Sequence, residues 1–262
     1  MDLKQLLNDE NLYVAFEYAL RQVDELKPKD VELANDLKHL GLVYNLLNDS
    51  DQALKYLELS LKMYKKLPGG DNQADIAAIL SGLGLAYGRL GNYTEALKYF
   101  QPALEIEQAL HKEEAHDSVA TALNNVGVAY GRLGNHAESF KYYQLSLEVK
   151  QALHKEEAHD VVAKALNDVG ISCLLLGNYA QALEYFKSAL DMYKQLRRDK
   201  DHEDVIFALY SVGQSYYYLN NHTQAQAYYQ LSLEMAQRLF SDNPDHELIK
   251  DIRKVMAFCK PG

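Results

Sequence analysis

The chain has no tryptophan, and only two cysteines and five prolines among 262 residues. So little proline, with glycines that fall mostly between apolar periodic segments, predicts long helices and leaves little room for strands. Cys173 and Cys259 both fall at apolar helical positions, so both read as buried thiols and not as a disulfide framework. Apolar runs are short as well. None approaches the roughly 18 to 20 residues that span a bilayer, and the opening MDLKQLLNDE lacks the basic and apolar blocks of a signal peptide. The expectation is a cytoplasmic protein with no membrane insertion. Cations are also scarce: 27 Lys and Arg face 37 Asp and Glu, a formal net charge of -10. Nucleic-acid binding needs Lys and Arg concentrated on one face, so no nucleic-acid partner is expected. There is no phosphate-cradling Gly-rich loop, no HExxH and no recognisable nucleophile turn, so catalytic residues, a cofactor and enzymatic activity are not expected.

What the sequence does have is a period. Gly41, Gly84, Gly127, Gly170 and Gly213 follow one another at a constant step of 43 residues. A leucine stands four before each of them (Leu37, Leu80, Leu123, Leu166, Leu209), and Leu or Val stands one before. Three after stands Tyr44, Tyr87, Tyr130, Cys173 or Tyr216. Spacings of three and four put these side chains on one buried helical face, where glycine permits close approach of another helix. Leu90-Gly91-Asn92, Leu133-Gly134-Asn135 and Leu176-Gly177-Asn178 then read as turns, with glycine ending one helix and asparagine capping the next. The second helix has a small residue twelve after the marker glycine and a bulky one sixteen after it: Leu57, Phe100, Tyr143, Phe186 and Tyr229. Another small residue follows at nineteen: Ser60, Ala103, Ser146, Ala189 and Ser232. No such pair buries its face alone, which predicts stacking of pairs.

Leucine, glycine, tyrosine, alanine, aromatic and alanine at these offsets resemble the tetratricopeptide repeat, here longer than its usual 34 residues. Ala115-His116-Asp117-Ser118-Val119-Ala120, Leu123-Asn124-Asn125-Val126-Gly127 and Lys141-Tyr142-Tyr143 resemble the kinesin-light-chain type of that repeat. The fold implied is all-α, a right-handed superhelical solenoid of antiparallel helix pairs. Repeats are expected at 31–68, 74–111, 117–154, 160–197 and 203–240, after an N-terminal helix or partial repeat at 3–28 and before a capping helix at 245–260. The heptad segment that precedes the repeats in kinesin light chain is not seen, so motor attachment is not carried over. QALHKEEAHD occurs at 108–117 and again at 151–160, which points to repeat duplication. Pro102, well inside a second helix, is expected to kink it.

The resemblance implies a partner protein or short peptide held along the first helices. Their non-core positions are Lys38, Asn124, Asn125, Asn167, Asp168, Tyr210, Gln214 and Tyr217. An asparagine amide donates and accepts at once and suits the backbone of an extended peptide. Arg89 and Arg132, one repeat apart, present two guanidiniums suited to an acidic peptide, or else cap their own helix ends or pair with nearby glutamates. Tyr210, Gln214 and Tyr217 offer an apolar anchor site or pack on the closing helix. The two-carboxylate clamp of chaperone-binding relatives is missing, since Leu42 and Gly82 stand where its asparagines belong. His116, His159 and His202 with acidic neighbours lie in successive connections that do not converge, so no metal is expected; Asp117 and Asp160 there suit helix N-caps. Alternatives to the adaptor reading are a receptor for a free signalling peptide and a self-associating scaffold, which leaves a homo-oligomer open.

Overall fold

The structure is a computed structural model that describes residues 30–67, 72–112, 114–155, 157–198 and 200–259. The expected N-terminal helix at 3–28 lies outside the described residues. Eleven helices occupy the described residues: α1 (Asp30–Leu46), α2 (Ser50–Lys66), α3 (Gln73–Arg89), α4 (Tyr93–His111), α5 (Asp117–Arg132), α6 (His136–His154), α7 (Asp160–Leu175), α8 (Tyr179–Arg197), α9 (Glu203–Tyr218), α10 (His222–Leu239) and α11 (Glu247–Phe258). No strand occurs among the described residues, and the all-α fold of consecutive helix pairs is the one read from the sequence.

Two compact units result. The first runs to Glu114 and takes in Thr121–Gly134; the second comprises Ala115–Ala120 and the chain from Asn135 onward. In the first, α1 packs on α2, α2 on α3 and α3 on α4, and α1 also meets α3 directly. In the second, each helix from α6 to α10 packs on its successor. Each unit has its own apolar core, with Leu57, Met63, Ile79 and Leu83 fully buried in the first and Val169, Phe186 and Val212 in the second.

The repeating glycines hold the pairs at close range. A Cβ on Gly170 would lie 2.6 Å from the Phe186 ring, and one on Gly84 would overlap Phe100, so the bulky residue at sixteen fills the space a side chain would need. Ser60, Ser146 and Ser232, at the small position of alternate repeats, are buried, and each donates its hydroxyl hydrogen across the pair. Their acceptors are the carbonyls of Ala34 (2.7 Å), Ala120 (2.7 Å) and Ile206 (2.9 Å).

Turns within the pairs follow a second rule. Gly91, Gly134 and Gly177 adopt positive φ of 77 to 79°, and Asn48 and Asn220 replace glycine at the equivalent turns with φ near 60°. Asn92, Asn135 and Asn221 accept from the backbone N–H three residues on, and so does Asp49. The starts of α5 and α7 differ from the expected aspartate caps, and α9 and α11 follow the same pattern. Histidine, not aspartate, caps them: the Nδ1 atoms of His116, His159, His202 and His246 accept from the amides of Ser118, Val161, Asp204 and Leu248 at 3.2 to 3.4 Å. Asp160 is instead bound by the Arg197 guanidinium. Pro102 lies inside α4, which is helical from end to end.

Candidate functional site

In the first unit the C-terminal halves of α3 and α5, with the first turns of α4, enclose a pocket of about 330 Å³. Leu85, Val128 and Ala129 give it an aliphatic wall, Tyr93 and Phe100 an aromatic one, and Gly88 lines it without a side chain. Its polar side chains besides the Tyr93 hydroxyl are Arg89, Arg132 and the Asn125 amide. Three residues singled out from the sequence are thus brought to one cavity. Both arginines are exposed. Among the described residues neither meets a carboxylate, so neither is neutralised by a neighbouring glutamate.

Arg89 is nevertheless held in place. Its Nη1 donates to Asn45 Oδ1 at 3.2 Å, while Asn45, 4% exposed, donates through Nδ2 to the carbonyl of Gly82 at 2.8 Å. This buried amide ties α1 to α3 and fixes the guanidinium without discharging it. Asn45 was not anticipated as a site residue. Its only signal is that, four after Gly41, it takes the place of Gly88, Gly131, Leu174 and Tyr217. Leu85 and Val128 were also missed, although one after each of the first four marker glycines stands Leu42, Leu85, Val128 or Ile171, a column the same period displays and Gln214 breaks.

Lys38 requires a correction. It is 8% exposed, and its ammonium bonds the Asp75 carboxylate at 2.5 Å, so it joins α1 to α3 and is no free groove cation. Its position looked solvent-facing because Asp75 lies on another repeat and becomes its neighbour only when the helices stack. Asn124 is half-buried beside Asn125 and does not line the pocket.

In the second unit Asn167 and Asp168 are half-buried on α7. Burial pushes the Asp168 carboxyl up to about 6, with Lys164 and Lys150 pulling the other way. Burial likewise lowers the Lys150 ammonium, and Asp168 opposes that shift. Tyr210 lines a separate cleft between α9 and α11 and packs its ring 5.4 Å from Tyr229. Tyr217 meets Tyr218 and His222 edge-on, and Gln214 is half-buried on the same helix. Cys173 and Cys259 are buried free thiols. Among the described residues no group of three or more metal-ligating side chains converges, and no helix is long and apolar enough to cross a membrane.

The sequence profile of the tetratricopeptide repeat matches residues 75–152, 118–195 and 161–238. A second tetratricopeptide repeat profile matches 40–109. No curated protein matches the sequence closely enough to count as a relative. Among solved structures, BtubC (BKLC) from P. vanneervenii is 22% identical with a TM-score of 0.68, the match covering 88% of this chain and 93% of that one. A putative kinesin light chain with nearly identical TPR-like repeats from Podosopora anserina is 16% identical with a TM-score of 0.68, covering 81% and 98%. The apo form of RapI is 16% identical with a TM-score of 0.57, covering 91% and 96%. At these identities the likeness speaks for the fold alone. With repeat profiles matching from residue 40 to residue 238, the chain belongs to the tetratricopeptide repeat family.

Proposed function

We propose that the chain is a protein-interaction adaptor that holds a short peptide segment of a partner protein against α3 and α5. The segment places a carboxylate between Arg89 and Arg132 and an apolar side chain on Leu85, Val128 and Ala129. The observation that carries this reading is the pairing of two guanidiniums without a carboxylate on one apolar cavity, in a chain whose net charge is -10. Guanidiniums bind carboxylates bidentately, and the apolar wall beside them takes a neighbouring apolar side chain. Asn125 stands at the same cavity to hold the peptide backbone through donor and acceptor together. In the second unit, Asn167 and Asp168 on α7, and Tyr210, Gln214 and Tyr217 on α9, are separate candidate peptide-contact positions. Asp168 discourages a ligand acid beside it, so acidic preference is set at the arginines. A free signalling peptide has the same chemistry and would be received in the same way.

The test is a peptide-display selection on the intact chain, repeated with Arg89→Ala/Arg132→Ala. Both residues are exposed, so the variant is expected to keep its fold, checked by circular dichroism. Enrichment of peptides that pair an acidic with an apolar residue, lost in the double variant, is the expected result. Selection of basic peptides, or of the same motif by both proteins, would sink the reading.

A further inference from the structure

Helix α11 is closed on one side and open on the other. Ile249 and Ile252 are fully buried against residues of α9 and α10. The open side leaves a cleft of about 360 Å³ against α9, lined by Phe207, Leu248, Asp251, Lys254 and Phe258 among others. Phe207 is 49% exposed there and Phe258 72%. Six before each earlier marker glycine stands Asn35, Ala78, Thr121 or Lys164; at Gly213 the residue is Phe207. The aromatic residue is therefore a departure from the repeat, found where the cleft is. Along α11 the cleft reads apolar, acid, base, apolar: Leu248, Asp251, Lys254 and Phe258, at steps of three and four that keep them on one side of the helix.

One acid and one base leave this cleft without net charge, in a chain whose net charge is -10. Asp251 and Lys254 form no ion pair among the described residues, while the neighbouring Lys250 stands 4.0 Å from Asp245. A strongly charged partner of either sign gains nothing at such a face. What its order fits is its own reverse. A second α11 lying antiparallel sets Lys254 beside Asp251, Asp251 beside Lys254, and Phe258 over Leu248. A two-fold axis through the middle of α11 makes both ion pairs and both apolar contacts at once, since every contact of an isologous interface occurs twice. We propose that the cleft between α9 and α11 is the interface of a homodimer. Phe258 of each protomer enters the other's cleft beside Phe207 and Leu248, and Asp251 and Lys254 pair across the axis. The aromatic side chains supply the binding energy on losing water, and the ion pairs set the register. This surface belongs to the second unit, is separate from Arg89 and Arg132, and stands whether or not that pocket binds a peptide.

The test is sedimentation velocity on the full chain over a concentration series, where a reversible monomer-dimer equilibrium is expected. Phe258→Ser, Lys254→Asp and Asp251→Lys are each expected to weaken it by about tenfold or more. Melting curves taken at monomeric concentrations should not change, because all of these side chains are exposed. Each charge variant alone sets like charges against each other across the axis. An equimolar mixture of Lys254→Asp and Asp251→Lys is expected to dimerise as the parent does, because in the mixed pair every acid again meets a base. A purely structural role of either residue gives no such rescue. Arg89→Ala/Arg132→Ala is expected to dimerise unchanged. The proposal is overturned by a monomer at every concentration up to about 1 mM, by a dimer that Phe258→Ser leaves intact, or by a mixture of the charge variants that stays monomeric.

Discussion

Asp168 is an acid that folding makes more reluctant to ionise. Burial on α7 pushes it up to about 6, whereas an aspartate in an unfolded chain ionises near 3.9. Between those values the folded state binds more protons than the unfolded one, so stability falls as pH rises through the window and stays lower above it. Asp168→Asn removes the ionised group and is expected to stabilise the protein by about 1 kcal/mol near pH 8, with no advantage near pH 4. That figure is discounted from the full shift because Lys150, itself disfavoured by burial, loses a compensating charge. Urea unfolding at the two pH values is the measurement. A variant less stable than the parent at pH 8 would mean that Lys164 and Lys150 reward the charge more than burial penalises it. None of this was legible in the sequence, where Asp168 shows only as a polar residue at a groove position. The same holds for Lys38, hidden by Asp75, and for the histidine caps, which a preference for aspartate obscured. For Asp168 and Lys38 a deciding partner, Lys150 or Asp75, stands on another element; at the caps of α5 and α7 it is the histidine one residue before the aspartate.

At the scale of the helix, more was readable. The 43-residue step of glycine, leucine and tyrosine set the helix pairs, because buried faces recur with the helical period and turns demand Gly or Asn at positive φ. What it left obscure was which open positions share a cavity, since that depends on stacking between helices. Gly88 shows the difference. Read locally it is a poor helix residue in the last turn of α3; in the structure it lines the arginine pocket. A Cβ there would meet nothing closer than Tyr93 at 3.8 Å, an ordinary contact. Gly88→Ala is therefore expected to raise stability by about 0.5 kcal/mol through lower unfolded-state entropy. It should also narrow the pocket and weaken peptides selected for an apolar anchor. Thermal melting and peptide titration on the same variant check the two halves. A gain in stability with unchanged affinity would show that the anchor bypasses Gly88.

For the whole molecule, the question is how far a local loss travels. In stacked repeats, stability is approximated by the sum of each unit's own term and its contacts with immediate neighbours. The chain has two compact units with separate cores. Phe186 is 1% exposed, presses against Gly170 and fills the centre of the second core. Phe186→Ala removes a buried aromatic ring and is expected to cost about 3 to 5 kcal/mol locally, because Gly170 offers no side chain to fill the cavity. Native-state hydrogen exchange reads where that cost appears. Amides of α7, α8 and α9 should exchange much faster, while those of α1, α2 and α3 keep their protection. Equal acceleration in every helix would mean that the chain opens as a single cooperative body. A gradient that stops within the second unit would mean that groove positions on α3 keep their geometry when α7 opens, so that peptide binding at Arg89 survives Phe186→Ala.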